Sequence, residues 1–293
     1  MRPGVSSWSW HEPYYAGQWS VLDLPAGARQ VGLALIEAND FMLPPPRFSR
    51  IRRPLLSLLP GAPPELWRYS SANLEKLKNN AAAYQTSLLC WTINSDFALP
   101  GRGWPVARLY LRWGIAAAHY LHTALLRVNL GGQPDTPAKM DNQIVSRLVA
   151  FVQASQHRVP GLTITVENHW GVSTDIDRHL WLVGQAQQRL RESQQARLGC
   201  CFDPGNMPEG ERERWWQGLS AAANHFHFKT MRFDERGRDP SLPHDHIMAL
   251  LHSANYQGDV TLEFQGQGNP ITGVQKSLHL WHSLLLKTAS LRK

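Results

Sequence analysis

The chain of 293 residues is 43% hydrophobic and 18% charged, an ordinary balance for a folded protein with a sizeable core, which excludes a disordered or fibrous chain. Its formal charge of +7 is dispersed, with Arg47, Arg50, Arg52 and Arg53 the one cluster, so it reads as a solvated basic surface and nucleic acid is not the expected partner. Cys90 and the adjacent Cys200 and Cys201 are too few for a disulfide framework, and neither an export signal nor a membrane-length apolar run is visible, so a reduced, cytoplasmic protein is expected.

Short β-prone runs alternate with helical patterns along the whole length. The first candidate strand covers 5–10 and the second 31–37; the spacing of Leu66, Tyr69, Leu74, Leu77 and Ala81 then predicts a helix before a third strand at 86–93. A fourth strand at 124–130 precedes helical spacing at Ile144, Leu148, Phe151 and Val152, and a fifth follows at 162–168. The sixth, at 198–203, leads into a helix carrying Trp215, Leu219 and Ala222, and strands at 225–229 and 260–264 complete the series. Eight βα units of about 37 residues fit a single (β/α)8 TIM barrel spanning 1–293, with the proline-rich 44–46 and 60–64 as loops within it. An open doubly wound sheet would also alternate in this way, but the first strand has no Gly-x-Gly-x-x-Gly turn.

Several strands carry one apolar and one polar face. Leu162, Ile164 and Val166 oppose Thr163, Thr165 and Glu167; Phe226 and Phe228 oppose His225, His227 and Lys229; Arg127 and Asn129 oppose Leu126 and Val128. Both faces of a parallel barrel are covered, so the polar face must point inward, where ionisable groups are costly unless paired or coordinated. Glu167, Asp203, His227 and Glu263 sit at or near the ends of strands five to eight, at intervals of 36, 24 and 36 residues. Three carboxylates converging at the barrel mouth would repel one another, and a divalent cation removes that difficulty. Three oxygens and one imidazole suit Mn²⁺, Mg²⁺ or Co²⁺, and Zn²⁺ is also compatible.

In this order the segments LIEAN (35–39), LRVNLG (126–131), TVENHWG (165–171), CFDPGN (201–206), HFHFK (225–229) and TLEF (261–264) resemble strand motifs of the xylose-isomerase-like sugar isomerase and epimerase superfamily. The resemblance implies a TIM barrel in which Glu167, Asp203, His227 and Glu263 hold one divalent metal ion. It further implies that Glu167 and Glu263 are the acid/base pair, moving a proton through an enediolate of a small polyhydroxylated substrate. Lys229, Arg127, His169, Asn206 and Glu37 are candidate substrate-binding residues, Glu37 also being a candidate ion-pair partner for Arg127. Trp10, with Trp8 and His11, is expected to leave the first strand towards the mouth, where an aromatic face packs on sugar C–H surfaces.

Some positions depart from the family pattern. Asn206 stands where many of its sugar epimerases have a histidine, Phe233 where some have an arginine, and strand seven ends in HFKT rather than the frequent His-x-Lys-Asp. The abasic-site endonucleases of the same superfamily use three zinc ions and additional histidines, where this chain offers Asn39, Asn94 and Asn206. His244-Asp245-His246 has the wrong spacing for that role. A dehydratase acting on a cyclitol or keto acid would use the same metal and bases, and a non-catalytic binding barrel is the third alternative. The sequence permits a homo-oligomer and leaves the substrate open.

Overall fold

The computed structural model describes residues 1–47, 49–60, 63, 65–192, 197–207 and 209–290; part of the 60–64 loop and the end of the basic tail lie outside them. Strands β1 (Pro3–Ser6), β2 (Leu35–Asn39), β3 (Ser87–Thr92), β4 (Leu125–Val128), β5 (Thr163–Glu167), β6 (Leu198–Phe202), β7 (Ala223–Thr230) and β8 (Val260–Phe264) pair in sequence order into one closed parallel barrel. It is a single (β/α)8 TIM barrel. Short α1 (His11–Tyr15) and α2 (Leu24–Gln30) lie between β1 and β2, and α3 (Ser49–Ser57) and α4 (Ser71–Ala83) between β2 and β3. The outer ring continues with α5 (Trp104–Leu121), α6 (Asp141–Arg158), α7 (Ile176–Glu192), α8 (Arg212–Ala222), α9 (His244–Ser253) and α10 (Pro270–Ser290).

The barrel closes where β1 pairs with β8, Pro3 opposite Val260 and Val5 opposite Leu262. Arg2 fastens this seam: its guanidinium donates to Asp259 at 2.6 and 3.1 Å, and its carbonyl accepts the Val260 N–H at 3.1 Å.

The strands' alternation divides the interior chemically. Ile36, Trp91, Leu126, Ile164, Val166, Phe226, Phe228 and Leu262 join the apolar layer between sheet and helices, together with Trp215 and Trp281. Each large side chain buried there contributes about 1.5–3 kcal/mol of hydrophobic free energy. The opposite parity carries Glu37, Thr92, Arg127, Glu167, His225, His227, Lys229 and Glu263, all buried.

Two strand ends differ from the sequence expectation. β1 stops at Ser6 rather than running to residue 10, because the Ser6 hydroxyl accepts the Trp8 N–H at 3.1 Å and starts a 3-10 turn over Ser7–Trp10. β2 begins at Leu35 rather than at residue 31, because Val31 ends α2 and Gly32 turns the chain at φ +80°.

Candidate active site

The ends of β5 to β8 bring four of the expected side chains to one place. Glu167 is the last residue of β5, and Asp203 follows β6, its backbone clamped by Asn168, whose amide accepts the Asp203 N–H at 2.8 Å and donates to the Asp203 carbonyl at 2.9 Å. Register places Lys229 of β7 directly opposite Glu263 of β8. His227 Nδ1 then lies 3.4 Å from Glu167 Oε1, 3.4 Å from Asp203 Oδ2 and 3.7 Å from Glu263 Oε2. Ligand atoms of Glu167, Asp203 and His227 all lie within 4.8 Å of one another.

Each carboxylate is held by one oxygen while another faces that common point. Arg127 Nη1 grips Glu167 Oε2, Lys229 Nζ holds Glu263 Oε1 at 2.8 Å, and the Gly205 N–H holds Asp203 Oδ1 at 2.8 Å. Lys229 also reaches Asp203 Oδ2 at 2.9 Å and Asn206 Oδ1 at 3.2 Å, and Asn206 Nδ2 donates to Glu167 Oε1 at 3.3 Å.

Beneath this ring His227 Nε2 faces both oxygens of Glu37 at 3.2 Å, and Glu37 also takes His225 Nε2 and Arg127 Nε at 2.9 Å each. An ionised Glu37 can only accept, so the imidazole proton belongs on Nε2. The Nδ1 lone pair then points into three carboxylates, an arrangement that needs a cation or a second proton at its centre. Ligands about 2.1 Å from a shared ion stand roughly 3.0–3.4 Å apart, near the spacing around Nδ1. The formal charges agree: Glu37, Glu167, Asp203 and Glu263 outnumber Arg127 and Lys229 by two, the charge of one divalent ion. The donor set therefore fits a hard divalent metal, with Glu37 orienting the histidine from behind.

Protonation tendencies follow from the same contacts. Burial would raise the Glu37 pKa, but His227 and Arg127 hold it well below the usual carboxylate range. Burial also opposes ionised Asp203, yet Lys229 and His227 pull it below its ordinary value. Lys229 is disfavoured by burial and raised by Asp203 and Glu263. His227 is likewise disfavoured by burial, but Cys201, then Glu37, Glu263 and the Asp203 contact, raise it well above its ordinary value. Burial, then Arg127 and Lys229, push His169 down to about 4. The thiols of Cys90 and Cys201, which approach His225 from below, are raised by burial and so are poor ligands.

Above the ring opens a pocket of about 390 Å³. Its walls include Arg127, Glu167, His169, Asn206 and Glu263 from the expected set, and Trp8, Tyr15, Phe41, Glu65, Asn94, Asn129 and Trp170 besides.

The sequence pattern of xylose isomerase-like TIM barrels matches residues 56–284. The chain belongs to that family. No curated protein matches the chain. Among solved structures, a D-psicose 3-epimerase with D-tagatose from Clostridium cellulolyticum H10 is 14% identical, with a TM-score of 0.66 over 97% of this chain and 99% of the other. A probable 3-DHS dehydratase from Bacillus anthracis is 14% identical, with a TM-score of 0.64 over 96% and 99%. A family 2 AP endonuclease from Brucella melitensis is 13% identical, with a TM-score of 0.66 over 94% and 97%. At such identities the likeness shows the fold alone.

Three of the expected substrate contacts do not line the pocket of this xylose isomerase-like barrel. Trp10 stacks on Trp19 with ring centroids 5.6 Å apart and planes 6° from parallel, inside the core, because the 3-10 turn carries Trp8 rather than Trp10 to the pocket. Glu37 lies beneath His227 and does not line the pocket, and Lys229 is spanned by Asp203 and Glu263. His244 meets the Lys229 carbonyl at 2.8 Å and His246 meets Glu213 at 2.8 Å, so neither joins the mouth. Tyr15, Phe41 and Glu65 were not visible as site residues in the sequence, since the short α1, the 3-10 turn of Asp40–Met42 and the segment before Leu66 are too brief to carry a periodic signal; Asn129 was marked only by its place on the polar face of the fourth strand.

Proposed function

We propose that this chain is a divalent-metal-dependent isomerase or epimerase of a small sugar or related hydroxy-carbonyl compound. The observation that supports it is the His227 Nδ1 lone pair, fixed from behind by Glu37 and ringed at 3.4–3.7 Å by Glu167, Asp203 and Glu263. Mn²⁺, Mg²⁺ or Co²⁺ suits three oxygens and one nitrogen. When bound, such an ion polarises neighbouring carbonyl and hydroxyl oxygens of a substrate and acidifies the C–H between them.

The chain's own residues then move the proton. Glu167 and Glu263 both line the pocket, and each has one oxygen held by a cation, Arg127 or Lys229, which fixes its angle. One of these carboxylates takes the proton from carbon, and the other returns one to the enediolate from its own side of the substrate. His169, neutral at pH 7, offers the substrate a hydrogen bond without adding charge. The same two carboxylates could instead lead to loss of a β-hydroxyl as water, the reaction named for the 3-DHS dehydratase of the same fold.

Metal analysis of purified protein, with and without Asp203→Ala, is the first test: about one divalent ion per chain, lost in the variant, is expected. Solvent deuterium should enter a processed ketose with the wild type, and Glu167→Gln and Glu263→Gln should each reduce that exchange by about 10²–10⁴-fold. No metal uptake from Mn²⁺, Mg²⁺ or Co²⁺, or undiminished exchange in both variants, would sink the proposal. Release of water in place of an isomeric product would decide for the dehydratase.

A further inference from the structure

Between Phe41 and Glu65, both in the pocket wall, the sequence holds four arginines, Arg47, Arg50, Arg52 and Arg53, and no aspartate or glutamate. This stretch carries α3, and the fold clasps it from the far side: Arg68 Nη1 donates to the Leu43 carbonyl at 2.6 Å and Asn73 Nδ2 to the Pro44 carbonyl at 2.8 Å. α3 packs on the 3-10 turn Leu66–Arg68, where Arg53 lies over the Trp67 ring, 5.7 Å from its centroid, and Leu56 packs against the core. Another face of α3 is apolar and open to solvent. Ile51, Leu55, Leu58 and Leu59 are 63, 61, 79 and 39% exposed, and their i, i+4, i+7, i+8 spacing puts them on one face of the helix and of the turn that ends it. At about 100° per residue, Arg50 and Arg53, both exposed, fall together along one edge of that stripe. Elsewhere among the described residues the exposed large apolar side chains stand singly in the sequence.

Four aliphatic side chains edged by guanidiniums select among occupants by charge. A second copy docked through the same face would set arginines against arginines, since the stretch has no carboxylate to meet them. Nucleic acid would pair with the arginines and leave the aliphatic stripe in water. An anionic lipid surface takes both: aliphatic side chains enter the acyl boundary, and the guanidiniums beside them stay at the headgroup phosphates. Arginine suits that place, because its fork of N–H donors matches phosphate while its stem lies along apolar surface.

We propose that α3 and the turn after it dock the barrel on an anionic lipid surface, with Ile51, Leu55, Leu58 and Leu59 in the acyl boundary and Arg50 and Arg53 on headgroup phosphates. The contact is peripheral, made by one face of a short helix, and it is independent of the metal-site reading above.

The test is sedimentation of the purified protein with vesicles of dioleoylphosphatidylcholine alone and of its equal mixture with dioleoylphosphatidylglycerol. The mixed vesicles should bind the wild type about tenfold more tightly or better, and Arg50→Glu with Arg53→Glu should lower that affinity about 25-fold or more, at about fivefold for each arginine lost. Ile51→Ser, Leu55→Ser and Leu58→Ser together should lower it about tenfold or more with every charge kept. Cys90, Cys200 and Cys201 are buried, so Leu58→Cys takes a polarity-sensitive thiol dye at one place, and its emission should move to the blue on the mixed vesicles alone. Equal binding to both kinds of vesicle or to neither, or affinity unchanged in the serine variant, would overturn the inference. So would a dimer that the serine variant dissociates, which gives the face to a second copy. Protein that ignores vesicles and binds poly-L-glutamate through Arg50 and Arg53 would give it to an acidic partner and overturn the inference as well. If the serine variant fails to fold, the dye on Leu58→Cys still decides whether the stripe enters the lipid.

Discussion

At Glu37 a fully buried carboxylate meets two imidazoles and a guanidinium, and what it does to His227 decides whether Nδ1 is free to coordinate. Glu37→Gln replaces an obligate acceptor by a group that can donate, which allows the imidazole proton to move to Nδ1 and block it. Metal affinity should fall about 10–100-fold, measured by Mn²⁺ titration, with the barrel still folded. Unchanged affinity would show that Glu37 serves the core and not the site. The strand residues at this site were legible because each sits at the end of a β-run one βα unit from the next. Glu37 was expected as a substrate contact or an ion-pair partner for Arg127, and nothing in a linear sequence places it behind His227. Trp10 misled because Trp8 and Trp10 look alike in sequence, and only the turn begun at Ser6 separates the one in the pocket from the one in the core.

Elements set the loops at the mouth. Gly171 lies at φ +69°, and a Cβ there would stand 2.2 Å from the Gly131 carbonyl oxygen, where the loops after β4 and β5 pack together. Gly171→Ala should destabilise the protein by about 2 kcal/mol or more, read as a lower urea midpoint, and displace His169 and Trp170 beside it. An unchanged midpoint would mean that the loops part without cost. On α7, His179 is fully buried, its Nδ1 3.0 Å from the Ser173 hydroxyl, and burial pushes its pKa down to about 4. The unfolded chain, with a histidine pKa of about 6.5, takes up this proton first, so the stabilisation is complete above that pH and is lost as pH falls towards 4. His179 alone should contribute roughly 3 kcal/mol to that loss in metal-free protein, and His179→Gln should flatten the slope of stability against pH. A slope identical to the wild type would remove His179 from the account. The βα alternation was readable because buried parallel strands are short apolar runs between long periodic helices. Glu65 escaped because it lies in a proline-rich loop, whose conformation depends on what the barrel presents to it.

Over the whole molecule, the candidate donors and two of the residues that hold them come from different halves. Glu167, Asp203, His227 and Glu263 belong to β5–β8 or their ends, while Glu37 belongs to β2 and Arg127 to β4. A metal ion that binds only the closed barrel should stabilise it by about 2.7 kcal/mol at a hundredfold excess over its dissociation constant. For a chain of 293 residues that is a rise of roughly 4–5 °C in Tm. Chelation should reverse the shift and Asp203→Ala should abolish it; no shift with bound metal would mean that the open chain binds the ion equally well. The seam between β1 and β8, with Arg2 against Asp259, adds an order of events. Glu263 lies on β8, so the ring around His227 is complete only once the last strand has paired with β7. On the metal-dependent reading proposed above, an ion would enter after β8 is seated, and the supply of free metal in a growing cell would set how much finished protein is active rather than how much protein folds.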